Sequence, residues 1–213
     1  IVKLSPMLDI DIIKKELKNI KEIHIVAVKN ECKELLVVCQ QTTDNSQQTS
    51  CNNLLSAVDL RENWRFNFSE EEEQNANVSF ADEIGKYLYE PGVACMKAAP
   101  FRLLSQRFNI RKLDRNSHLY TSDELVTDFP GRIFEVINVV PFDKKAKKVL
   151  SQQTTVNGQQ TLSKASIAVR NFPLSAEELR KHLGFKDGDD FYIFGTTMRG
   201  EKKILVLGKR VEN

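Results

Sequence analysis

Two short segments hold side chains that could do chemistry. In "VRNFPLS", Arg170 and Asn171 precede Ser175, which with Glu178 has the S-x-x-E spacing of a capping box. A helix start presents unpaired N–H groups and the positive end of a dipole, where anions settle. Beside it, Arg170 could clamp a phosphate and Asn171 could hydrogen-bond a base or a sugar. The same two residues could equally pair with an acid and shape the turn. In "SHLYTS", His118 stands near Tyr120, Thr121 and Ser122, yet no acid, base and nucleophile set can be assembled around it. No catalytic residue is assigned.

Metal and redox chemistry find little support. Cys32, Cys39, Cys51 and Cys95 lack the clustered pairs of zinc and iron–sulfur sites, so no metal is expected. Cys32, Cys39 and Cys95 sit in apolar-rich elements and read as free buried thiols, in a reducing, cytoplasmic setting. The four acids at 70–73, in "SEEEEQNAN", repel one another and read as a solvated break. No apolar run approaches the roughly 18 residues of a membrane span, so no membrane partner is expected.

The charge is uneven along the 213 residues: 16 basic residues stand against 20 acidic ones up to 130, then 15 against 9. The basic end suits a polyanion if its charges share a face. The candidates there are Arg132, Lys144, Lys145, Lys147, Lys148, Arg170, Asn171 and Lys181.

Period and punctuation give the elements that must position these residues. "IVKLS" reads as a strand, and Ile10, Ile13, Leu17 and Ile20 recur at helical spacing. "IHIVAVK" and "ELLVVCQ" read as a hairpin, so the opening is an α/β sheet with a helical crossover between parallel strands. The tracts 40–53 and "QQTTVNGQQTLS" are polar loops. Phe80, Ile84, Tyr87 and Leu88 predict an amphipathic helix over 79–90, stopped by Pro91-Gly92, with a second helix from Met96 to Phe108. Beyond 131 the order is strand–helix–strand–helix–strand–strand, an α+β layer sandwich. Ser175, Glu178 and Gly184 bound its clearest helix.

"VKLSPMLDI", "YLYEPG" with "KAAPF", "HLYTSDELVTDFPGRIFEV" and "VRNFPLSAEELRKHLGFKDGDDFYIFGTT" occur in that order over nearly the whole chain. Together they resemble bacterial class I SAM-dependent methyltransferase-like proteins that carry a ferredoxin-like region and a THUMP-like domain. The resemblance implies an α/β fold: the end of a Rossmann-like methyltransferase sheet over 1–60, a ferredoxin-like region over 61–130 and a THUMP-like domain over 131–213. It implies a C-terminal portion, inactive alone, whose S-adenosylmethionine and catalytic residues belong upstream of Ile1. Lys3, Ser5 and Pro6 then border the substrate pocket, at the sheet end where open α/β folds bind ligands. Residues 118–132 become a hinge between the two C-terminal modules, with Thr121, Ser122 and Asp123 serving a helix start. The implied partners are the chain's own methyltransferase domain and structured RNA, the latter held by the basic candidates. The alternative is a non-catalytic module for protein interaction or fold stabilisation.

Overall fold

The computed structural model describes residues 1–40, 53–152, 162–188 and 190–212. Tertiary contacts divide the chain into two compact units. The first is Ile1–Val78 with Pro91–Phe108, and the second is Ser79–Glu90 with Asn109–Asn213.

The first unit contains β1 (Val2–Leu4), α1 (Ile10–Glu16), β2 (Ile20–Val28), β3 (Glu31–Cys39), β4 (Leu54–Asp59) and β5 (Trp64–Ser69). Helices α2 (Glu70–Asn75), α3 (Val93–Ala98) and α4 (Phe101–Phe108) complete it. Asp9 caps α1 by accepting the Asp11 N–H at 2.7 Å, and the helix buries Ile10 and Ile13 at the predicted spacing. Strand β2 alternates as a one-face-buried strand should, with Ile23, Ile25 and Ala27 inside. Lys29 and Asn30 both take positive φ at the turn into β3, the geometry of a tight hairpin.

The sheet order is β1-β3-β2-β4-β5. Strands β1 and β2 run parallel in one sheet with α1 as the crossover, as read from the sequence, but they are not adjacent. Strand β3 lies between them, antiparallel to both, and the parallel neighbour of β2 is β4. The expected boundary at residue 60 falls in the turn joining β4 to β5, inside this sheet. Cys51 and most of the polar tract 40–53 lie outside the described residues.

The acidic run at 70–73 is a helix rather than a solvated break. Ser69 and Glu72 form a reciprocal capping box, which places acids at the positive end of α2. Glu73 then accepts the backbone N–H groups of Arg102 and Leu103, each at 2.9 Å, so one helix caps the start of the next. Glu72 pairs with Arg107 at 2.7 Å and Glu70 with Lys14. Self-repulsion is offset because each of these three carboxylates has donors to meet.

The second unit is a seven-stranded sheet with two helices. Its elements are β6 (Tyr87–Pro91), β7 (Arg111–Lys112), β8 (Tyr120–Ser122), β9 (Gly131–Pro141), α5 (Ala146–Ser151), β10 (Ser166–Arg170), α6 (Ala176–Leu183), β11 (Phe191–Met198) and β12 (Lys202–Arg210). The order is β10-β11-β12-β9-β6-β8-β7, with β10 and β11 parallel. Alternate residues of the long strands feed two cores. Ile193, Leu205 and Leu207 pack with Ala146, Leu150, Leu179 and Leu183 of the helices. Phe194, Ile204 and Val206 pack the other way, with Leu88, Leu113, Leu119 and Phe134. The predicted capping box of α6 is present, and Gly184 ends it in the left-handed region at φ 70°. At Gly195 a Cβ would come within 2.8 Å of the Leu179 side chain, so only glycine lets α6 sit this close.

Two expectations fail in this unit. Residues 79–90 are not a helix: Tyr87–Pro91 is a strand whose last four residues are all buried. A strand covered on both faces has no alternation, and its apolar residues can mimic helical spacing over a few positions. Residues 118–132 are not a hinge, because β8 and β9 belong to one sheet. Thr121 serves strands rather than a helix start. Its hydroxyl accepts from Gly85 N–H at 2.8 Å and donates to the Tyr87 carbonyl at 2.7 Å. Ser122 bonds the Tyr89 hydroxyl at 2.8 Å, and Asp123 pairs with Arg111 at 3.1 Å.

Candidate functional site

The candidate chemistry of the second unit gathers at one carboxylate that the sequence did not single out. Glu90, on β6, is 2% exposed. Arg132, at the start of β9, donates to its Oε2 through Nε at 2.9 Å and through a terminal nitrogen. Arg170, at the end of β10, places a terminal nitrogen 2.6 Å from Oε1. Strand order explains the meeting: β6 and β9 are neighbours, while β10 reaches the same carboxylate from beyond β12. Arg132 also lies over the rings of Phe134 and Tyr192, 5.6 and 5.8 Å from their centroids. Arg170 donates to its neighbour's carbonyl, Val169 O, at 2.8 Å. Both guanidinium groups are thus held by an internal acid, Arg132 also by a stack and Arg170 by a backbone carbonyl.

Asn171 follows in the left-handed region, at φ 53°. Its carboxamide donates to Asp114 Oδ1 at 3.1 Å, and its carbonyl accepts the Thr197 hydroxyl at 2.5 Å. It shapes the turn, and it also lines a groove of about 600 Å³ together with Asp114, Asn116, Phe172, Thr197 and Lys203. Of these the sequence flagged Asn171 alone. Lys203 could have been found by asking which lysines lie on the strand facing α5.

The lysines of the 143–148 segment behave differently from the arginines. Ala146 and Leu150 anchor α5 in the core, while Lys144, Lys145, Lys147 and Lys148 are exposed. None of the four has an acidic partner within ion-pair distance among the described residues, and neither has Lys203. The Phe142 N–H donates to the Lys203 carbonyl at 3.0 Å, which joins the start of β12 to the segment leading into α5. Lys203 shares a sheet face with Leu205 and Leu207, the face that α5 covers. Five lysines therefore belong to adjoining segments of one side, and Lys203 among them lines the groove together with Glu201. Lys181 is paired with Glu177 at 2.8 Å on the exposed surface of α6.

In the first unit, Lys3 pairs with Glu34 of β3 at 2.5 Å. The Ser5 hydroxyl accepts the Met7 N–H at 3.2 Å, and Pro6 completes that turn. Burial pushes the thiols of Cys95 and Cys32 up from the ordinary value, which makes these two poor nucleophiles. No cluster of three or more metal-ligating side chains occurs among the described residues. No helix among them is long and apolar enough to cross a membrane.

His118 sits in a strained left-handed conformation at φ 50°. Burial, with Lys112 and then Arg170 nearby, lowers its pKa from 6.5 to about 4. Because the unfolded chain binds this proton near pH 6.5 and the folded chain only near 4, stability falls as pH drops through that window. A urea denaturation series from pH 7 to 4 is expected to show this slope, and His118→Gln is expected to flatten it. A slope unchanged in the variant refutes the assignment.

Known proteins bear on these features. Residues 87–130 match a family model described as a ferredoxin-like domain. Residues 131–210 match one described as THUMP domain-like. The chain is thus a mixed α/β protein of two sheets that carries a ferredoxin-like segment followed by a THUMP-like module. It is also similar to a solved protein of Porphyromonas gingivalis W83 described as "putative methyltransferase", with 37% identity over 99% of this chain and a TM-score of 0.85. The match covers 50% of that protein, so this chain spans about half its length. No curated protein matches.

Proposed function

We propose that these 213 residues are the RNA-engaging, C-terminal portion of a class I S-adenosylmethionine-dependent methyltransferase. The observation that carries the reading is the 37% identity, sustained over 99% of the chain, to half of a protein described as a methyltransferase. The cofactor's cradle is assigned to the other half. The β1–α1 turn of this chain carries Ser5, Pro6 and Met7 where a glycine loop would be needed, so its residues do not fit S-adenosylmethionine. Lys3, Ser5 and Pro6 are assigned to the rim of the substrate pocket, which the other half completes.

RNA is favoured as the methyl acceptor by the THUMP-like module and by five exposed lysines without acidic partners among the described residues, one of which, Lys203, lines the groove. The lysines supply charge to phosphates, while Asn116, Asn171 and Thr197 offer donors and acceptors to an unpaired nucleotide. Fold stabilisation, the other reading of the basic residues, is the one Glu90 favours for Arg132 and Arg170. The full-length protein, incubated with labelled S-adenosylmethionine and total RNA from its host, is expected to transfer label to RNA. Label that goes only to protein or to small molecules removes RNA as the acceptor.

A further inference from the structure

The groove opens at the carboxyl ends of β10 and β11, the parallel pair of the larger sheet, where Asn171 and Phe172 leave one strand and Thr197 nears the end of the other. Its charges are mixed, which sets it apart from the lysines of the 143–148 segment. Two carboxylates, Asp114 and Glu201, line it together with Lys203. Some of its polar groups are already engaged: the Asn171 carboxamide donates to Asp114 Oδ1 at 3.1 Å, and the Thr197 hydroxyl to the Asn171 carbonyl at 2.5 Å. Glu201 differs. It is exposed and has no ion-pair partner among the described residues. Its backbone lies in the left-handed region at φ 61°, next to Gly200 at φ 74°, so local preference alone would put glycine or asparagine there. Asn116 is exposed on the same groove.

A phosphate suits such a groove poorly, because two carboxylates repel it. A nucleobase carries no charge and can meet them through its N–H groups. A carboxylate only accepts, and its two oxygens fit two adjacent donors. Guanine alone among the four RNA bases has adjacent donors on its Watson–Crick edge, N1–H and the 2-amino group, followed by the acceptor O6. Uracil offers one donor between two acceptors, and adenine and cytosine set a ring acceptor beside their amino group. We infer that the groove selects an unpaired guanine of the bound RNA. The Glu201 carboxylate accepts from N1–H and the 2-amino group, the Asn116 carboxamide donates to O6, and Lys203 meets the phosphate. Half-buried Phe172 is the aromatic side chain against which the base lies. The inference rests on reading RNA as the partner of this module, and it adds which base the module takes.

Fluorescence anisotropy of the full-length protein with a set of RNA hairpins tests it. The hairpins share one stem and a uridine loop in which a single position is guanosine, inosine, adenosine or uridine. Inosine keeps N1–H and O6 and lacks only the 2-amino group. The guanosine hairpin is expected to bind about tenfold tighter than the adenosine and uridine ones, with inosine between them. Glu201→Gly suits the left-handed backbone and keeps the turn, and it is expected to bring the guanosine-to-adenosine ratio below about twofold. Glu201→Gln is expected to lower the ratio too, since its amide presents a donor to the donors of the base. Equal affinity of the parental protein for all the hairpins overturns the guanine assignment and leaves RNA as the partner. A guanosine preference that survives in both variants overturns the part given to Glu201 and the groove. Absence of binding to every hairpin at about 50 mM salt sinks the RNA reading itself, and this inference falls with it.

Discussion

Replacing Glu90 with alanine is expected to destabilise the unit built on Ser79–Glu90 and Asn109–Asn213 by about 3 kcal/mol, the low end of the cost of breaking a buried ion pair. The low end applies because the two arginine side chains keep 26% and 35% of their exposure and can turn partly to water, whereas Glu90 cannot. For a chain of 213 residues that is a fall of roughly 6–12 °C in melting temperature. Glu90→Gln is expected to cost less, since it keeps the volume and one acceptor but not the charge. Arg132→Ala and Arg170→Ala should each cost less than Glu90→Ala, because one guanidinium still meets the carboxylate. The double variant should cost more than their sum, having left that carboxylate buried and bare. Thermal melts of the parent and the five variants check the pattern. Additive arginine effects, or a Glu90→Ala protein as stable as the parent, would remove the clamp from the account of this fold.

The same result bears on RNA. Were Arg132 and Arg170 phosphate ligands, their removal would weaken RNA binding and leave stability alone. Their geometry predicts the opposite. Sequence could not supply this, because the decisive residue is on another strand far along the chain. It did leave a trace: Glu90 is a lone acid in the run "YLYEP", where the neighbours Leu88, Tyr89 and Pro91 are all buried. A carboxylate in such a run requires cationic company.

What was legible in the sequence had a local cause. The α6 boundaries follow from Ser175, Glu178 and Gly184, three residues whose own backbone and side chains close the helix. The β2–β3 hairpin follows from alternation and a short turn. What was missed depended on remote groups. The run 70–73 became a helix because Lys14, Arg107 and the start of α4 provide for its charges. Residues 87–91 became a strand because both faces are covered. The insertion of β3 between β1 and β2 is a topological fact that no local period encodes. Among the eight basic-end candidates, residue type was a fair guide to charge and a poor one to availability. The arginines, with planar forks suited to a carboxylate, were taken inside, and the lysines of the 143–148 segment stayed out.

Those lysines carry the second large effect. Converting Lys144, Lys145, Lys147, Lys148 and Lys203 together to glutamine in the full-length protein is expected to weaken structured-RNA binding on the order of 100-fold near physiological salt. Each lysine that meets a phosphate contributes roughly 0.7–0.9 to the slope of log affinity against log salt, so with all five engaged the slope should fall by about 3.5 to 4.5. Stability should change by no more than about 0.5 kcal/mol, because these side chains are exposed and have no acidic partners among the described residues. Glutamine at Lys15, Lys18 and Lys21, exposed positions of the other unit, is the control and should leave the slope as it was. Fluorescence anisotropy from 50 to 300 mM salt reads all three proteins. A five-lysine variant with the parental slope would mean that this face does not touch RNA, and the THUMP-like module would have to act by holding the protein together. A slope lost equally in the control would mean diffuse attraction to net charge rather than an interface on the α5 side of the sheet.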